Sequence, residues 1–252
     1  MAANAKPLDL KPQTLEAFQT YIHDGEAKME QTLGSDTSFL WSTADPGIAQ
    51  QIRAGQIVAQ FWSGNAPLKA PNGLIHDWIA GGFAAGATLN DTLALIQDYD
   101  NYKNVYEPEV LASRLISHQN SDFQIYLRLL KKKIMTVVLD TDHNVHYRSL
   151  SQTRCVCRSY TTRVAEVENA GTPKEIIRPP DTGHGFLWRL YSYWRFEERK
   201  GGVLMDCRAI SLTRDVPLGL GWMFEPIIQN VPKESLIHSI EATRRGLTAE
   251  IS

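Results

Sequence analysis

WRLYSYWRFEERKGGVLMDCRAISLTRDVPLGLGWMFEPIIQNVPKESLIHSIEATRRGL, residues 188–247, is the stretch on which the reading of this 252-residue chain turns. Residues 188–199 carry aromatic and β-favouring side chains, Lys200, Gly201 and Gly202 form a turn, and residues 203–213 resume the strand pattern. That pattern predicts a hairpin. Asp215, Val216 and Pro217 end the sheet, and helical spacing begins near Lys233. Asn230 as cap and Pro232 in the first turn place a helix over 232–247. Leu236, Ile240, Thr243 and Leu247 share one of its faces and are expected to meet the sheet, while Glu234, His238, Glu241 and Arg245 fall opposite. Pro217, Gly219, Gly221 and Pro226 mark either a hinge or a fixed turn before it.

Upstream, spacing predicts a helix over 13–33, an apolar anchor at 39–41, a helical turn over 45–55 and a strand over 57–62. The Pro- and Gly-containing stretch 63–72 reads as a boundary, giving an N-terminal extension, 1–72, and a main domain, 73–252. The domain opens with a strand over 73–83, a turn over 84–87 and two short helical segments, 89–97 capped by Thr88 and a second through Tyr102 and Tyr106. Extended stretches follow at 110–117, 123–130, 135–147 and 153–167, then a loop over 168–183.

The chain is 43% hydrophobic with a formal net charge of −2, which supports a sizeable core and gives no electrostatic reason to expect nucleic acid. No apolar run approaches the roughly 18 residues of a membrane span, so no integral membrane association is expected. The compartment is left open, since a leader can be removed from a chain. Three cysteines, Cys155, Cys157 and Cys207, are too few and odd in number for a disulfide framework.

The order strand, two short helices, antiparallel strands, long terminal helix, together with GLIHDWIAGGFAAGATLNDTLALIQDYDNY (73–102), YSYWRFEERKGGVLMDCRAISLTRDVP (191–217) and GLGWMFEPIIQNVPKESL (219–236), resembles the START and Bet v 1-like superfamily of polyketide cyclase and lipid-transport proteins, in a bacterial subgroup without a defined function. The resemblance covers about 73–247. It implies an α+β helix-grip fold, a curved antiparallel sheet with two short helices and a long C-terminal helix. It also implies that the partner is a hydrophobic small molecule, lipid-like or polyketide-like, held between sheet and helix without cofactor or metal. An aromatase/cyclase-type enzyme, or an interaction module with a filled cavity, are the alternatives.

Gly81–Gly86 reads as a glycine-rich bend from strand to helix, Asp140–His146 as a hairpin tip, and Lys131–Lys133 as a solvated strand end. No GxSxG, HExxH or P-loop occurs. His184, between two glycines, is either a residue at the cavity mouth or an idle loop histidine. Along 188–197 the even positions share one face and the odd positions the other, both bulky, so one face is expected under the helix and the other covered, in part by residues 1–72. Arg195, Asp206 and Arg208 are either outer-face ion pairs or inward groups that fix a ligand head. The candidate ligand-binding set is Trp78, Tyr191, Tyr193, Trp194, Arg195, Asp206, Arg208, Trp222, Leu236 and Ile240.

Overall fold

A computed structural model describes residues 8–62, 64–132, 136–215 and 221–251, with the side chains of 221–230 and 249–251 outside that description. Helices α1 (Pro12–Gln31) and α2 (Pro46–Arg53) precede strands β1 (Val58–Phe61), β2 (Leu68–Ala70) and β3 (Gly73–Ala85). Helices α3 (Leu89–Gln97) and α4 (Tyr102–Val105) lead into β4 (Val110–Gln119), β5 (Asp122–Lys132), β6 (Thr136–Ser149), β7 (Arg154–Glu168) and the short β8 (Ile176–Ile177). The hairpin β9 (Arg189–Arg199) and β10 (Gly202–Arg214) and the helix α5 (Gly221–Ile251) complete the chain.

All ten strands join one antiparallel sheet in the order β1-β3-β10-β9-β7-β6-β5-β4, with β2 also on β3 and β8 on β7. Helix α5 lies on one face, against β3, β10 and β1. This is the helix-grip α+β arrangement. The sequence-predicted strands and the hairpin agree with it closely.

Local chemistry explains the element ends. Thr88 and Asp91 form a reciprocal capping box on α3, and the Asp45 carboxylate accepts from the Gly47 and Ile48 N–H groups at the start of α2. Helix α1 starts with Pro12 in its first turn. Its buried Phe18 and Ile22 pack with Ile75, Ile210 and Leu212 on the sheet face opposite α5. Phe39, Leu40 and Ile52 continue this cover against Val156 and Leu204. The N-terminal segment therefore closes the second face, and both faces of β9 and β10 are interior. Burying each large apolar side chain of this layer contributes about 1.5–3 kcal/mol.

Three expectations are corrected. Gly81 and Gly82 make no bend but lie inside β3, where a Cβ on Gly82 would stand 2.6 Å from Ile240 Cγ2 and one on Gly81 2.7 Å from Asp206 Oδ1. They admit close neighbours on both faces. The Asp140–His146 segment is mid-strand in β6, because partners on adjacent strands satisfy its polar groups: Arg128 and Tyr126 bind Asp140, and Asp122 binds His146. Helix α5 starts at Gly221, eleven residues before the expected Pro232, and runs through both Pro226 and Pro232, so Asn230 is no cap. Of the proposed hinge, Pro217 and Gly219 lie outside the described residues.

Candidate functional site

Between α5 and the β4–β7 side of the sheet is a cavity of about 280 Å³, walled mainly by apolar side chains such as Ile125, Leu127, Leu139, Val145, Trp194 and Leu236. Strand alternation sets this lining: the odd residues of β6 from 137 to 147, Thr141 excepted, and the even residues of β9 from 190 to 196 line it. Leu236 reaches it from α5. One turn on, Ile240 is fully buried in the same core, against Gly82.

The α3–α4 segment supplies a roof of tyrosines. Tyr99 and Tyr147 hydroxyls lie 2.7 Å apart, Tyr147 and Tyr102 both donate to the Ile96 carbonyl, and Tyr106 pairs with Thr243 of α5 at 2.9 Å. Burial pushes all four phenols up, Tyr106 to about 12. They are hydrogen-bonding groups here, neutral over any ordinary pH. On the floor, His143 joins Thr141 Oγ1 at 2.9 Å and Ser159 Oγ at 3.2 Å, and burial lowers its imidazole to about 4. At the mouth, Lys131 pairs with Glu109, while His238 Nε2 donates to the Glu107 carbonyl at 3.0 Å. Burial lowers the Lys131 ammonium, and Glu109 opposes the shift.

Lys131 is thus no solvated strand end but an ion-paired part of the lining, and His238 faces the cavity rather than open solvent. His184 has the carboxylate that its surroundings in sequence lack. Glu166 of β7 accepts from its Nδ1 and its backbone N–H, each at 2.8 Å, and from the Phe186 N–H at 3.3 Å. Phe186 lines the cavity; His184 does not.

Of the candidate set, Trp194 and Leu236 line the cavity. Trp78 lies under α5 against Phe61, with Lys233 5.7 Å over its ring, and stays outside the lining with Ile240. Tyr191, Tyr193, Arg195, Asp206 and Arg208 face the N-terminal segment. Tyr191 packs edge-on to Phe18, and Tyr193 donates to Glu26 at 2.8 Å. Arg195 donates to the Phe39 and Met29 carbonyls, at 2.6 and 2.8 Å. Asp206 accepts from the Ser42 N–H at 3.0 Å, and Arg208 makes a two-pronged pair with Asp77 at 2.9 and 2.5 Å. Residues 18–42 and Asp77 of β3 supply the ring, carboxylate, carbonyl and N–H groups with which these side chains pair. Trp222 lies outside the described side chains.

Sequence reasoning missed the tyrosine roof and His143. The i, i+3, i+7 spacing of Tyr99, Tyr102 and Tyr106 was the available signal for the first. None existed for the second, since Thr141 and Ser159 come together with His143 only through the β6–β7 pairing.

No protein-family model matches the chain, and no curated protein matches it. Similar solved structures include a STAR-related lipid transfer protein fragment from Xanthomonas axonopodis, 15% identical, with TM-score 0.49, covering 73% of this chain and 98% of that one. An aromatase/cyclase from a Streptomyces species is 7% identical, with TM-score 0.48 over 71% of this chain and 96% of that one. Human STARD10 is 9% identical, with TM-score 0.47 over 86% and 84% of the two chains.

Among the described residues no helix is long and apolar enough to cross a membrane, and no group of three or more His, Cys, Asp or Glu side chains is placed to hold a metal ion.

Proposed function

We propose that the protein binds, and passes on, an uncharged hydrophobic small molecule held between the sheet and α5. The observation that carries this reading is the cavity of about 280 Å³ with mainly apolar walls. Ligand binding is assigned to residues 73–252, with Trp194 and Leu236 as contacts. Residues 8–54 are assigned the task of bracing the sheet from behind, and β1 and β2 extend its edge. The space itself weighs against a module whose interior is filled.

Acid–base catalysis at neutral pH calls for a group that titrates nearby. His143 is pushed down to about 4 and the lining tyrosines are pushed up, so these groups stay neutral and favour binding over proton transfer, while the ionisable Lys131, Glu109 and His238 of the lining are paired with one another. Titration with the neutral dye Nile red tests the reading. Saturable binding near one equivalent, reversed by a medium-chain alcohol, is expected; non-saturable binding by folded protein would overturn it.

A further inference from the structure

Two hydroxyls and an imidazole at the cavity floor have their roles fixed by chain connectivity and by proton count. Thr141 Oγ1 donates its single proton to the Leu127 carbonyl, 3.0 Å away. It therefore only accepts from His143, so Nε2 of that imidazole, 2.9 Å away, carries the ring proton. Burial keeps the ring neutral, which leaves Nδ1 as a lone pair. Ser159 Oγ, 3.2 Å from Nδ1, must donate to it. The proton of Ser159 is thereby committed, and what this side chain presents to the cavity is acceptor only.

Directly across the β7–β9 pairing from Ser159 stands Ser192, which also lines the cavity. The structure shows no partner for the Ser192 hydroxyl among the described residues. Opposed residues of an antiparallel pair hold their Cβ atoms about 4.5–5.5 Å apart. One ligand oxygen between them can therefore reach both hydroxyls at about 2.8 Å. It must donate to Ser159, and it can accept from Ser192. A hydroxyl does both; a ketone or ester oxygen only accepts. On the helix side of the same cavity Ser235 Oγ is buried with no partner, a second polar atom that an entirely hydrocarbon guest would leave unpaired.

From this geometry we infer that the guest is an apolar alcohol, its hydroxyl seated between Ser159 and Ser192. The inference rests on the proposed cavity function and sharpens it. The chain Leu127 carbonyl, Thr141, His143, Ser159 is a device for discrimination, since it removes the freedom a serine has to donate to a carbonyl.

The test displaces Nile red with 2-decanol and with 2-decanone, which differ by two hydrogens, the hydroxyl proton and the carbinol C–H, and little in shape. In the wild type the alcohol should displace at about 3–10-fold lower concentration, the worth of one hydrogen bond. Ser159→Ala should bring the alcohol and ketone within about twofold of each other, whereas Ser192→Ala, which removes a donor that both oxygens accept from, should weaken both and keep the alcohol preference. Ser192→Ala should also leave the melting temperature of the ligand-free protein unchanged within about 2 °C. Saturable dye binding with equal displacement by alcohol and ketone, or a preference that survives Ser159→Ala, would overturn the inference and leave the cavity function standing. Absence of saturable dye binding in the wild type would overturn both.

Discussion

The docking of α5 on β3 is the contact most open to a quantitative test. A Cβ at Gly82 would meet Ile240 Cγ2 at 2.6 Å, and Ile240 is fully buried. Gly82 has no positive φ, so Ala is compatible with its backbone and the cost is overpacking alone, about 1–3 kcal/mol. Ile240→Ala removes the opposing atoms and should cost about 2–5 kcal/mol through lost transfer energy and the space left behind. In the double variant the new methyl group enters the space that Ile240 vacated. The clash is gone and part of the cavity is filled, so the combined loss should fall short of the sum by at least about 1 kcal/mol. Urea unfolding of the four proteins, with a common m-value, reads this coupling. Losses that add within about 0.5 kcal/mol would refute the close approach of helix and strand. Glu241→Ala, on the side of α5 away from Leu236 and Ile240, should change stability by no more than about 0.5 kcal/mol.

Burial raises the Asp206 carboxyl from 3.8 to about 6, with hydrogen bonds from Ser42 and the Arg195 charge opposing the shift. The folded state thus holds this proton more tightly than the unfolded one, and the associated stability is full below about pH 4 and lost as pH rises through 6. The stability of Asp206→Asn relative to wild type should grow by about 3 kcal/mol between pH 4 and 7; a difference that stays flat with pH would contradict the buried position. Asp77→Ala leaves the Arg208 guanidinium buried without its counter-charge and should cost about 3–5 kcal/mol, whereas Tyr21→Phe, which removes one hydrogen bond to the same carboxylate, should cost about 0.5–1.5 kcal/mol. Comparable losses in urea unfolding would show that the pair is not closed off. Trp194→Leu should weaken Nile red binding several-fold and Tyr193→Phe should leave it unchanged, since their side chains project to opposite faces of β9; the reverse order would exchange the two faces.

What could be read from the sequence followed from periodicity. Alternation along 188–213 and the Thr88 cap are local signals, and the hairpin and α3 stand where those signals put them. The start of α5 was hidden because Gly219, Gly221, Pro226 and Pro232 are breakers by local rules. A buried helix draws its stability from packing that these rules do not include. The polar residues misled for a related reason. Alternation sorts β9 into two faces but does not say which one meets a ligand when both are covered, and charge is a weak guide there. The face crowded with charge, Arg195, Asp206 and Arg208, is the one whose partners come from residues 21–77 of the same chain. On that face the charges are paired mainly within the chain itself. The face that remains for a guest carries small hydroxyls, Ser159 and Ser192, which look like ordinary strand residues until pairing sets them opposite one another and His143 fixes the direction of a proton. Chemistry of that kind is written in the register between strands, so it becomes visible only once the sheet is assembled.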